Sequence, residues 1–240
     1  MKKGLISFED MVKQVQFGKD IKKKYSSDLW TSLVAFYLDR VSFHHKTNPA
    51  DQARAPRRCV WRKQSEGLME GCTAKGRKEG SGGRVLRLLV AISYGKGVIE
   101  CHQYDKLDSR SFSSFVREKF DTMFEKAGKN GSRLFLQDNA PNQNSALVQR
   151  VLQYKRAKQL YIPPRSPDLN PIENFFNLVK KELTKQALEQ NITRETFDEF
   201  TARVIGTMYN FPSRLIDKII DTMDGRIDAI ISGKGQRTKY

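Results

Sequence analysis

Residues Pro163 to Glu173 read PPRSPDLNPIE. Pro163, Pro164 and Pro167 keep this stretch out of any helix interior or central strand, because proline lacks the N–H that both ladders need. Asn170 then suits a helix N-cap. Pro171 suits the first helical position, where the missing N–H costs nothing. Glu173 falls in the first turn, and Phe175, Phe176, Leu178 and Val179 open an apolar face behind it. One expectation is therefore a loop that ends in a helix, with Asn170 and Glu173 exchanging bonds as a capping box.

The residues upstream offer a second role for Glu173. Arg133 to Asp138, RLFLQD, has the pattern of a short buried strand that stops on a carboxylate, and DNAPNQNS follows as an Asx/Pro turn. Between Asp138 and Glu173 lie 34 residues, which accommodate a helix from about Gln143 to Tyr154 and a strand from about Lys158 to Ile162. A strand–helix–strand–loop–helix unit with an acid at each end can fold so that both acids meet at one edge of a sheet.

LFLQDNAPNQNS, the 34-residue interval and IPPRSPDLNPIEN together resemble the catalytic domain of Tc/mariner-type DDE transposases. The resemblance runs from about Leu29 to about Ile230, and SPDLNPIE is its most specific part. It implies a third acid in the first strand, where LVAFYLDRVSF supplies Asp39. It further implies an RNase H-like α/β fold: a mixed five-stranded sheet, three antiparallel strands followed by parallel ones, with helices on both faces. Asp39, Asp138 and Glu173 are then the catalytic residues and the ligands of two Mg²⁺ (or Mn²⁺) ions. Hard divalent cations favour such oxygen donors, and two ions about 4 Å apart clamp an in-line displacement at phosphorus. The implied activity is DNA strand cleavage and strand transfer, with transposon ends and target DNA as partners, a homodimer on paired ends, and a nuclear location in a eukaryote.

Two residues depart from the family pattern. Gln143 stands where many relatives carry His, and Arg40 stands where an acid often follows the first Asp. Asp168 competes with Glu173 for the third place, but its position before the helix suits a turn. Asn139 is expected to shape the turn beside Asp138. Such transposases carry one or two helix-turn-helix modules ahead of the catalytic domain, and about 28 residues before the first strand leave no room for them. Specific binding of transposon ends is then not expected, whereas salt-sensitive DNA affinity is. Two other readings use the same residues. One is a catalytically inactive, transposase-derived nuclear module that binds DNA or protein. The other is an RNase H-like nuclease acting on RNA–DNA hybrids.

Composition agrees with a polyanionic partner. Lys and Arg number 43 against 27 Asp and Glu, a net charge of +16, which favours nucleic acid over a membrane. The basic positions expected to meet DNA are Arg57, Arg58, Arg62, Lys63, Lys75, Arg77, Lys78, Arg84 and Arg165. Most lie in the loop Asn48 to Arg58, in CVWRK (Cys59 to Lys63, read as a strand) or in the Gly-rich run Gly71 to Gly83. That run lacks GKT or GKS, so no nucleotide cofactor is expected. Cys59, Cys72 and Cys101 form no CxxC pair, which suits a reduced compartment and excludes a zinc knuckle. No secretory signal and no spanning segment is visible.

The chain divides into a basic linker helix within 1–28, a catalytic domain over 29–232 and a disordered tail over 233–240. Ser7 with Asp10 opens the first helix, which runs to about Tyr25. LWTSLVAFYLDRVSFHH is read as one long strand. Arg84–Tyr94 and Val98–Asp105 make a hairpin around Gly95-Lys96-Gly97. Asp108 or Ser109 caps a helix to about Ala127 with aromatic residues at helical spacing. After the helix that follows Glu173, Thr193 is expected to cap another to Tyr209, and a third covers Arg214 to about Met223.

Overall fold

The computed structural model describes residues 7–26, 28–46, 48–54, 83–138, 140–236 and 238. Five strands, β1 (Val34–His44), β2 (Val85–Ser93), β3 (Gly97–Gln103), β4 (Leu134–Gln137) and β5 (Lys158–Tyr161), form one sheet in the order β3-β2-β1-β4-β5. β1, β2 and β3 are antiparallel to their neighbours, while β4 runs parallel to β1 and β5 parallel to β4. This is the expected mixed RNase H-like sheet. Helices α3 (Ser109–Ala127) and α4 (Ala146–Tyr154) cover one face; α5 (Pro171–Glu189), α6 (Phe197–Tyr209), α7 (Ser213–Asp221) and α8 (Met223–Ser232) cover the other.

Period-2 alternation sorts the residues of β1 between these layers. Tyr37, Val41 and Phe43 enter the core under α5, whereas Phe36 and Leu38 enter the core under α3. By the same alternation Asp39 faces α5, and Arg40 faces the other way. In β4, Leu136 joins the α5-side core and Phe135 the α3-side core. Asp138, two residues beyond Leu136, therefore also faces α5.

Local chemistry accounts for the helix ends. Asp108 accepts from the Ser111 and Arg110 amides and forms a capping box with Ser111, and Gly128 ends α3 in the left-handed region at φ 62°. Ser7 Oγ accepts from the Asp10 amide at the start of α1 (Phe8–Lys24). Helix α1 docks on α8 through Gly18, where a Cβ would lie 2.9 Å from Ile231 Cγ1. Among the described residues no helix is long and apolar enough to cross a membrane.

Several expected boundaries shift. Leu29–Leu33 is a π-helical turn and not the start of the strand. That wide turn lets buried Trp30 donate its indole N–H to Asp224 while its carbonyl accepts from Tyr37 Oη at 2.7 Å. Asn48 caps a short helix, α2 (Pro49–Arg54), where a loop was expected. The helix expected from Gln143 begins at Ala146, because Ser145 provides the cap and Asn142 is drawn away to the Leu107 carbonyl. Thr196, not Thr193, caps α6, since only Thr196 has an acid three residues on, Glu199, to complete a capping box. The helix expected from Arg214 is α7, and α8 follows it where no helix was expected: between the two, Thr222 turns its hydroxyl back to Ile219 O and receives Arg226 Nε. Within the expected tail, Gly235 lies against the Met11 backbone, where a Cβ would come within 2.3 Å of the carbonyl oxygen. Thr238 donates to the Asp168 carboxylate. The expected strand Cys59–Lys63 lies outside the described residues.

Candidate active site

β1 and β4 pair in parallel, with Leu38 opposite Gln137. Each next residue is an aspartate, so the register sets Asp39 beside Asp138 on strands spaced about 4.8 Å apart. β4 ends at Gln137 while β1 continues to His44. Beyond that point β1 has no paired strand on this side among the described residues, and a cleft of about 690 Å³ opens at the carboxyl ends of the parallel strands. Open α/β sheets bind ligands in this place. Asp39, Arg40, Tyr104, Asp138, Asn170 and Glu173 line the cleft, and Ile162 to Pro167 form its far wall.

The proline-rich stretch brings in the third acid. Pro167–Leu169 makes a 3-10 turn, and Asn170 then leads into α5 with Pro171 first. The expected capping box does not form. The Asn170 side chain makes no cap bond; its Nδ2 donates to Asp39 Oδ2 at 2.8 Å, and the Glu173 amide is met by the Asn170 backbone carbonyl at 3.2 Å. Asp39 is only 7% exposed. An ionised carboxylate that deep needs a compensating donor more than the helix end does, because the helix end can use its own backbone oxygen. The Glu173 side chain, free of the cap, turns to the cleft.

Asp168, the competing acid, is engaged by other partners. Its carboxylate accepts from Thr238 and its backbone oxygen from Arg226 Nη1, so it staples the proline loop to the last helix. Buried Arg226 also donates to Asn174 Oδ1 at 3.0 Å, bracing the first turn of α5 that carries Glu173.

The three acids influence one another. Burial pushes the Asp39 carboxyl up to about 8, and the negative charges of Asp138 and then Glu173 add to the shift; the Arg40 amide, donating at 2.6 Å, opposes it. Burial also raises Glu173, with Lys180 opposing and Asp138 adding. Asp138 Oδ1 is buried with no hydrogen-bond partner, as is Asn170 Oδ1. Asp138 Oδ2 lies 3.5 Å from Arg40 Nη2. Among the described residues no three His, Cys, Asp or Glu side chains are drawn together tightly enough to hold an ion as they stand. The donor set nevertheless suits a hard divalent cation: carboxylate oxygens from two strands and a helix, one of them orphaned.

Of the expected DNA-contacting residues, Arg165 lines the cleft and pairs with Asp10 at 3.3 Å. Arg84 lies elsewhere, 4.0 Å over the Phe197 ring. Arg57, Arg58, Arg62, Lys63, Lys75, Arg77 and Lys78, like Asn139, lie outside the described residues. Gln143 is fully buried. Sequence reasoning missed Asn170 as the partner of Asp39 and Tyr104 as a cleft residue. Asn170 had a visible signal, but it pointed to the cap; Tyr104 had none.

A family profile described as "DDE superfamily endonuclease" matches residues 59–195, a span that contains Asp138 and Glu173. The "Transposable element Tc1 transposase" of Caenorhabditis elegans is 32% identical over 107 residues, 45% of this chain. That match spans 37% of the relative's length. The fold is similar to the "mariner Mos1 paired end complex with Mg", with a TM-score of 0.74 at 14% identity over 100% of this chain and 66% of that one. It is also similar to the "catalytic domain of Mos1 mariner transposase", with a TM-score of 0.66 at 13% identity over 98% of both chains. A family match over more than half of the chain, on a sheet that sets its acids at one edge, places this protein in the DDE superfamily of endonucleases, as a Tc/mariner-type transposase catalytic domain with an RNase H-like fold.

Proposed function

We propose that this chain cuts and joins DNA phosphodiesters as part of transposition, with Asp39, Asp138 and Glu173 as its catalytic acids. The observation that carries the reading is that Asp39 and Asp138 each follow directly on the last β1/β4 pair, Leu38 and Gln137, and line one cleft with Glu173. A Mg²⁺ or Mn²⁺ pair is the cofactor, held by these three carboxylates. Divalent cations there supply Lewis acidity toward a phosphoryl oxygen and a lowered pKa for an attacking water or 3′-hydroxyl. The protein's part is placement. Asn170 holds one oxygen of Asp39, Arg226 braces the turn before Glu173, and the proline wall limits where a DNA backbone can lie. Transposon ends and target DNA are the partners, and a homodimer acting in the nucleus goes with this role. The net charge of +16 supports DNA binding that weakens as salt rises.

A second reading draws on the Arg40–Asp138 ion pair: a DNA-binding module in which an internal cation has replaced catalysis. One assay separates the two. The protein is incubated with supercoiled plasmid and Mn²⁺ or Mg²⁺, and nicking is scored on gels. Metal-dependent nicking that Asp138→Asn abolishes is the expected result. Retained plasmid binding without nicking, in both metals, would overturn the catalytic reading.

A further inference from the structure

Arg40 pairs with one of the acids, Asp138, and its position follows from the sheet. Alternation along β1 points it away from Asp39, yet β4 stops at Gln137, so the guanidinium can pass over the strand end to Asp138. The resulting contact, Nη2 to Oδ2 at 3.5 Å, is long, and the two side chains are 37% and 36% exposed. Such a pair is weak and easily exchanged. The other Asp138 oxygen, Oδ1, is buried and unpartnered. Asp138 thus has one oxygen on a loosely held cation and one oxygen waiting. The arginine itself lines the cleft, as does Arg165.

We propose that Arg40 is a tethered counter-cation, held by Asp138 while no divalent ion is bound and passed to a DNA phosphate when one binds, so that metal and DNA reinforce each other's binding. This rests on the metal-site reading above. A dication on Asp138 repels the guanidinium at short range. The displaced fork matches phosphate oxygens bidentately. Because the coupling is an equilibrium one, DNA strengthens metal binding by the same factor as metal strengthens DNA binding.

The test is a Mn²⁺ titration of the full chain, followed by the electron paramagnetic resonance of free Mn²⁺, for wild type, R40Q, R40K and D138N, with and without a short DNA duplex. Thermal melts check that each variant is folded. R40Q should bind Mn²⁺ at least ~10-fold more tightly than wild type without DNA, as expected for removing one positive charge beside the site. R40K, which keeps the charge, should stay within about 3-fold of wild type on the same argument. DNA should tighten Mn²⁺ binding to wild type and leave R40Q nearly unchanged. Equal or weaker Mn²⁺ binding by R40Q, while D138N still abolishes it, would overturn the role of Arg40 and leave the metal site standing. Mn²⁺ binding that D138N does not affect would overturn both.

Discussion

On the α3 face of the sheet, Phe36 meets Phe120, Phe124 and Phe135 with ring centroids 4.9–5.4 Å apart, and Phe120 adds Phe115 and Phe135. These rings are buried, and their arrangement, edge-on or offset, is the one aromatic quadrupoles favour. On the α5 face of the same two strands, the same depth of burial falls on Asp39, with a second acid beside it and two oxygens left without partners. Both regions hang on β1 and β4, with each aspartate three residues beyond a phenylalanine of the cluster. The first is arranged for stability alone. The second keeps a carboxylate where burial disfavours its charge, a cost that the proposed cation would offset.

Substitutions on the two faces should therefore act in opposite directions. The largest effect is expected at Phe120→Ala, which removes a fully buried ring at the centre of the aromatic cluster. Chemical denaturation should show a loss of about 3–5 kcal/mol. A loss below about 1 kcal/mol would mean that the cluster is loosely packed.

Asp39→Asn should do the reverse in EDTA. Burial raises the Asp39 carboxyl from the ordinary aspartate value of 3.8 to about 8, so the native state holds this proton more tightly than the unfolded chain. The stability it confers is present in full below pH ~4 and is lost as pH rises to ~8, at up to about 1.4 kcal/mol per unit. At pH 7 the asparagine variant should be more stable by about 2–4 kcal/mol without metal, and the slope of stability against pH between 4 and 8 should flatten. Denaturation across that pH range measures both. Added Mg²⁺ should stabilise wild type and not the variant.

Asn170→Ala comes next, at about 1–3 kcal/mol, because it strips a buried carboxylate of its donor. The cap is not what is lost, so the cost should shrink when Asp39 is already asparagine. A double-mutant cycle with Asp39→Asn should give a coupling of about 1 kcal/mol or more. Zero coupling would restore the capping role. At the bottom of the scale, Lys185→Ala on the exposed Lys185–Glu189 pair should change stability by less than about 0.5 kcal/mol. A charge matters here by its burial and not by its sign.

The same contrast governs what could be read beforehand. Hydrophobic period placed α3, β4, β5 and the β2–β3 hairpin, because each buries a continuous face and local spacing reports burial. The Ser7 cap was legible as well, whereas Asp108 shared its place with Ser109 until the fold showed the capping box with Ser111. Positions with two competing partners were not. Thr193 and Thr196 are both plausible caps, and only the acid at Glu199 decides between them. Leu29–Leu33 has strand-like composition, yet the need of Trp30 for a distant acid at Asp224 winds it into a turn. Asn170 is the sharpest case: its neighbours in sequence predict a cap, and a residue 131 positions away takes the side chain instead.

Chain order and residue type alone determined that one strand carries an aspartate within it and another stops on one, that a proline-rich turn precedes an acid at a helix start, and that the chain carries excess positive charge. These are local properties, written in spacing and composition. Tertiary structure decided the rest: that parallel register lays Asp39 against Asp138, that Asn170 serves a carboxylate and not its own helix, and that Arg40 reaches over the end of β4. Each of those outcomes depends on groups far apart in the chain competing for the same partner. Such competition is settled only when the chain has folded and burial has set what each polar group costs.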